Sequence, residues 1–152
     1  MTIILCFAVC LCGCTHEEIE APGRMKKIVF EPNDFKIDSE ETTIIAHASE
    51  GGWIVKDAKI EDEEGTRIYF GLDKEVYTLE QDGQYQRVEK ADFEEWFTYI
   101  RPSGNNGNGL EIQIHIDKNN SGKSRRLTLG FDGGVMTLCT NIVIEQEGYY
   151  GN

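Results

Sequence analysis

Positive charge is scarce in this chain: 15 Lys and Arg stand against 27 Asp and Glu, a formal net charge of -12. A protein without a basic face does not bind nucleic acid, because phosphate contacts require clustered Lys and Arg. Cysteine is almost absent past the first residues. Only Cys139 follows Cys14, so no internal disulfide can form there, and the domain must be held by its hydrophobic core. Roughly 130 residues suffice for one such core. Histidine is equally sparse: His16, His47 and His115 have neither Cys nor His partners at zinc spacing. No metal or other cofactor is expected.

Signatures of catalysis are missing too. No serine sits in a Gly-x-Ser-x-Gly elbow, and Cys139 lacks the neighbours of an activated nucleophile. Acid pairs such as Glu94-Glu95 and Asp92-Glu95 carry no information about the carboxylate separation that glycosidic chemistry demands. Asp117-x-Asn119-x-Ser121-Gly122 begins like a calcium loop, but Thr128 occupies the place of the bidentate Glu. Gly122-Lys123-Ser124 ends like a phosphate loop, but its earlier glycine would fall at Asp117. The Gly104 to Gly109 stretch reads as a connection, with no helix after it to receive a phosphate. An enzyme is not expected.

The N-terminus carries the strongest positive signal. An uncharged apolar run, Ile3 to Leu11, leads into Leu11-Cys12-Gly13-Cys14, and the first charged residue is Glu17. The run is too short for a membrane-spanning helix, which needs about 20 residues. The Leu-Cys-Gly-Cys order resembles a lipobox, which implies a signal peptide over 1–13, acylation at Cys14 and a linker over 14–23 ending in Pro22-Gly23. Cys6, Cys10 and Cys12 would leave with the signal. Glu17, Glu18 and Glu20 just behind the cysteine resemble the lipoprotein export signal of Bacteroidetes. That resemblance implies a lipid-anchored protein on the outer face of the outer membrane.

Beyond the linker the pattern has period two. Lys26 to Phe30, Thr42 to Ala48 and Trp53 to Ile60 are β-branched or aromatic runs separated by Pro32-Asn33-Asp34 and Ser49-Glu50-Gly51-Gly52. Leu110 to Asp117 alternates most cleanly, with Leu110, Ile112, Ile114 and Ile116 on one face. Arg125 to Phe131 follows with Leu127, Leu129 and Phe131 inward, and Asp132-Gly133-Gly134 suits a tight hairpin. On the returning strand Met136, Leu138, Ile142, Ile144 and Gln146 share one parity, which turns Cys139 the other way unless a bulge intervenes near Thr140. Phe93, Trp96 and Phe97, with Asp92 as cap, suit one helical turn before a strand over Thr98 to Ile100. Between Glu61 and Glu95 twelve acids face four bases. This acidic stretch reads as a solvated insert, about 61–92, whose hairpin pairs Glu75 to Leu79 with Tyr85 to Val88 around Gln81-Asp82-Gly83. Short strands and turn signals throughout give an all-β class: a Greek-key, immunoglobulin-like β-sandwich over 24–148 with an inserted acidic hairpin, and a tail over 149–152.

The order of Trp53 after a Gly pair, Trp96 before a strand, Leu110 to Asp117, Asn119-Asn120-Ser121-Gly122, Arg125-Arg126 and Ile142-Val143-Ile144-Glu145-Gln146 resembles a BACON domain, the Bacteroidetes-associated carbohydrate-binding often N-terminal domain. The resemblance runs from about Ile28 to Gly148 and is sharpest in its C-terminal half. It implies an immunoglobulin-like sandwich on a surface lipoprotein, with carbohydrate or mucin as the ligand class.

A sugar site would bring flat aromatic faces together with carboxamides and carboxylates, because pyranose C–H faces stack on rings while polar groups take the hydroxyls. Tyr69, Tyr77 and Tyr85 of the insert, with Asn105, Asn106 and Asn108, are the candidates. The same tyrosines also suit half-buried strand positions. Trp53 and Trp96 read as core. Two functions follow: a monomeric, non-catalytic, lipid-anchored binding module for glycans, or a spacer or protein-interaction subunit of a surface complex, docked through a strand edge or the acidic hairpin.

Overall fold

The computed structural model describes residues 25–72, 74–89, 96–100 and 109–151. Thirteen strands are present among them: β1 (Lys26–Ile28), β2 (Phe30–Glu31), β3 (Asp34–Ile37), β4 (Thr42–Ala48), β5 (Ile54–Asp62), β6 (Gly65–Phe70), β7 (Val76–Gln81), β8 (Gln84–Glu89), β9 (Phe97–Ile100), β10 (Glu111–Ile116), β11 (Arg125–Asp132), β12 (Thr137–Cys139) and β13 (Ile142–Gln146). No described helix is long and apolar enough to cross a membrane.

Two sheets face each other. One has the order β2-β4-β10-β9 and the other β3-β13-β11-β5-β6-β7-β8. With β2 as strand A, this is the ABED and GFC partition of an immunoglobulin-type sandwich, the GFC strands β13, β11 and β5 being extended past β5 by three further strands, β6 to β8, and flanked on the other side by β3. The acidic stretch therefore widens the main sheet. Alternation explains the packing: β4 and β10 bury every second side chain, and Ala46, Ile112, Ile114 and Ile116 are fully enclosed. Opposite them lie Ala58, Ile60, Leu127, Leu129, Ile142 and Ile144.

An aromatic cluster joins the two layers at one pole. Phe30 stacks on Phe131 with centroids 4.1 Å apart, and Trp53 meets both edge-on at 4.9 and 5.5 Å. Such pairs contribute about 0.5–1.5 kcal/mol each beyond the area they bury. Trp53 and Trp96 are both core residues, 0% and 9% exposed. At the far edge of the smaller sheet, the Tyr99 hydroxyl donates to the Leu72 carbonyl at 3.0 Å, tying β9 to the loop after β6.

Several local expectations change. Lys26 to Phe30 is two strands, because the chain switches partners at Val29: β1 pairs with β12 in parallel, while β2 joins β4. The last strand does not return through a tight hairpin. Asp132 Oδ1 accepts from Gly134 N at 2.7 Å, the chain then forms β12, and only from Ile142 does it pair with β11. The break after β12 reverses the parity, so Cys139 packs against the core and Leu138 is 55% exposed. Thr140 fixes that break: its amide donates to the Ile28 carbonyl, and its hydroxyl accepts from Phe30 N. Leu110 precedes the first residue of β10 and is 55% exposed, not inward. Phe97 belongs to β9, and the rest of the expected helical turn, Asp92 to Glu95, lies outside the described residues.

Candidate functional site

Strand direction sorts the loops into two poles. The turns after β5 and β7, the Asn119 to Ser124 turn and the start of β11 share the upper pole, because Asp62 pairs with Gly65, Gln81 with Gln84 and Arg125 with Gln146. The end of β11, the start of β5 and the β12 loop share the lower pole, where Asp132 pairs with Ile54.

A buried polar lock organises the upper pole. Asn119, 1% exposed, donates from Nδ2 to the carbonyls of Lys123 and Glu147 at 2.9 and 2.8 Å. Its Oδ1 accepts from the amide and hydroxyl of Ser121 at 3.1 and 2.8 Å. Gln146, fully buried, donates to the carbonyls of Glu40 and Asp117 and accepts from Arg125 Nε at 2.8 Å. Arg125 also donates to the Asp117 carbonyl at 2.7 Å and lies 4.1 Å from the centroid of the Trp96 ring. These residues carry the sharpest part of the sequence resemblance, and their side chains are spent on the fold. With Asn119 so engaged, the calcium-like spacing around it is a turn. No group of three His, Cys, Asp or Glu that could hold a metal occurs among the described residues.

A concavity of about 480 Å³ that includes Lys36, Arg125, Arg126 and Gln146 opens at the lock itself, and two others open at the same pole. One, about 320 Å³, sits at the tip of the β7–β8 hairpin and is lined by Leu79, Gln81, Asp82, Gln84, Tyr85 and Gln86. Asp82 and Gly83 both have positive φ, 51° and 75°, as the two-residue type I′ turn requires. Glu80 Oε1 accepts from Gly83 N at 3.0 Å and braces the turn. Tyr85, 70% exposed, pairs with Glu80, and its ring stands free at the edge of the sheet. The other concavity, about 590 Å³, is an open groove that includes Glu61, Asp62, Thr66, Ser124 and Tyr150. The Tyr149 amide donates to the Ser121 carbonyl at 2.7 Å, which carries the exposed Tyr150 over this groove.

The expected site residues therefore divide. Tyr85 is available. Tyr69 and Tyr77 are buried, 5% and 4% exposed, because their strands turn those side chains onto the inner face with Ala58, Leu79 and Val88. Neither ring can stack on a sugar from that position. Burial, helped by Glu75, pushes the Tyr77 hydroxyl above its ordinary pKa. Asn105, Asn106 and Asn108 lie outside the described residues. Tyr150 had no sequence signal beyond being aromatic in a short tail. Its placement depends on a bond to a turn almost thirty positions earlier.

Three further groups titrate away from their ordinary values. Burial raises the Asp57 carboxyl, with Lys56 opposing, and burial together with Asp132 raises the Cys139 thiol. The hydrogen bond to Glu40 raises Lys118, whose ammonium also lies 5.1 Å from the Tyr149 ring centroid. His115 contacts Thr43, Glu41 and Asp117 at 3.2, 3.3 and 3.4 Å on the outer face of the smaller sheet, where it lines a separate concavity of about 200 Å³ with Thr43, Tyr99 and Gln113.

No family model matches the chain, and no curated protein matches it. Among solved structures it is similar to an NMR structure of a protein from Bacteroides thetaiotaomicron. The TM-score is 0.51 at 12% identity, over 88% of this chain and 98% of that one. At that identity the likeness concerns the fold alone: an all-β sandwich.

Proposed function

We propose that this chain is a lipid-anchored surface module of BACON type that holds glycan at its upper pole without catalysing a reaction. The observation that carries the reading is Tyr85: an exposed ring beside a concavity lined by three glutamines and an aspartate. A pyranose needs that chemistry, an apolar plane for its C–H face and amides or carboxylates for its hydroxyls. The acidic charge of the hairpin favours neutral sugars over sulfated or sialylated ones. Screening a soluble 24–152 fragment against mucin, plant and host glycans tests it. Binding that weakens at least tenfold in Tyr85→Ala supports the reading, and silence across all three classes counts against it.

A second reading, a subunit that docks to another surface protein, is favoured by β8. Among the described residues this strand pairs only with β7 and ends the seven-stranded sheet, so its outer edge suits strand addition by a partner. Co-purification of a stable protein partner from native membranes would favour it over glycan capture.

A further inference from the structure

The lower pole has the opposite character. Val135, Met136, Leu138 and Met25 are 95%, 53%, 55% and 53% exposed. They are neighbours: Lys26 N donates to the Met136 carbonyl at 2.9 Å, and Lys27 pairs with Leu138 across the β1–β12 ladder. The apolar loop is held, not frayed. Gly134 N donates to Asp132 Oδ1 at 2.7 Å, and Thr137 N donates to the Gly134 carbonyl at 3.2 Å. Met136 has φ 59°, a conformation that costs a non-glycine residue about 1–2 kcal/mol. Stability is thus given up to keep large apolar side chains in water. Clustered exposed apolar side chains of this kind mark an interaction surface.

The occupant follows from where the chain enters. Eleven residue steps separate Cys14 from Met25, a reach of at most about 36–40 Å when fully extended. Any acyl chains on Cys14 are therefore tethered within that distance of Met25, whose neighbour Lys26 is bonded to the Met136 carbonyl. The flanking charge fits as well. In a chain of net charge -12, Lys26 and Lys27 bring two adjacent cations to this pole. Lys26 is bridged to Glu50 at 2.7 Å, Lys27 is exposed beside Leu138, and Asp132 is the neighbouring acid. Apolar side chains flanked by lysines suit the interface of a phospholipid leaflet with anionic headgroups.

We propose that Val135, Met136, Leu138 and Met25 dip into the leaflet that holds Cys14, so that the sandwich stands with its lower pole on the membrane and Tyr85 and Tyr150 outward. The inference rests on the lipid-anchored reading and adds an orientation to it.

The test places one tryptophan at either pole of the full-length chain, Val135→Trp or Asn120→Trp, both at exposed sites. Each variant is reconstituted in phosphatidylethanolamine–phosphatidylglycerol vesicles with and without bromine-labelled acyl chains. The parent signal from buried Trp53 and Trp96 is subtracted. At least twofold quenching at position 135, with none at 120, is expected. Equal quenching at both, or none at either, overturns the orientation. So does loss of the 135 quench in favour of a concentration-dependent dimer, which would give the patch to a second copy. Mass spectrometry of the same preparation reads the acylation of Cys14 separately. If that thiol is bare, the anchoring reading fails, and the two quenching outcomes with added vesicles still decide whether this pole binds lipid.

Discussion

Replacing Asn119 with alanine removes the centre of the upper-pole lock, and its cost can be worked bond by bond. The side chain donates twice and accepts twice, with only 1% of the residue exposed. The Lys123 carbonyl can instead take the Ser121 hydroxyl, 2.9 Å away, whose single proton Asn119 Oδ1 no longer competes for, so its loss is partial. The Glu147 carbonyl and the Ser121 amide lose this partner outright. At about 1 kcal/mol for each bond lost and somewhat more for a buried group left unpaired, the total is roughly 3 kcal/mol. That is a large share of the stability of a domain this size, about 5–15 kcal/mol. Urea unfolding of the 24–152 fragment, followed through the buried Trp53 and Trp96, measures it as a lower midpoint at unchanged slope. Asn119→Asp sharpens the test, because a carboxylate would face two carbonyl oxygens with no proton to give. Its folded pKa must rise above the unfolded value of about 3.9, so its deficit is smallest below that value and grows as pH rises through the folded one. A loss under about 1 kcal/mol for the alanine variant, or an aspartate variant insensitive to pH, would refute the lock as described.

Tyr77→Ala should cost about 3–4 kcal/mol, because it empties a core position, whereas Tyr85→Ala should shift stability by about 0.5 kcal/mol or less; thermal unfolding of the pair separates core from surface. Asp57→Asn should raise the urea midpoint at neutral pH. Burial holds the Asp57 carboxyl above its ordinary pKa, so its favourable contribution is complete only below the unfolded pKa and is lost as pH rises through the folded one. The parent should therefore lose stability over that interval relative to the asparagine variant. Iodoacetamide should alkylate Cys139 several-fold more slowly than a free peptide thiol at pH 8, since burial and Asp132 both raise its pKa; equal rates would contradict the placement of that thiol.

The sandwich was legible because alternation is a local property. Thr42 to Ala48 and Ile112 to Ile116 bury the residues their parity assigns, and Asp82-Gly83 turns where a type I′ pair should. What failed depended on distant partners. Nothing near Gly134 announces that Thr137 to Cys139 will pair with Lys26 to Ile28, more than a hundred residues earlier, and the break at Thr140 that follows puts Cys139 against the core and Leu138 in water. The tyrosines show the same limit. Tyr69, Tyr77 and Tyr85 lie in similar polar strands, and the pairing register, Tyr69 with Leu79, Tyr77 with Val88 and Tyr85 with Glu80, decides that two face the core and one faces water. Asn119, Arg125 and Gln146 were conspicuous as a motif, but their role in closing one pole needs three separated segments to meet.

The most direct test of glycan capture at the upper pole is amide and side-chain NMR of the 15N-labelled 24–152 fragment, titrated with oligosaccharides released from mucin. The account predicts shifts concentrated at Tyr85 and in the side-chain amides of Gln81, Gln84 and Gln86, with Val135 and Leu138 unmoved. Saturating ligand that leaves the hairpin tip unshifted, or that moves only the lower pole, would contradict it.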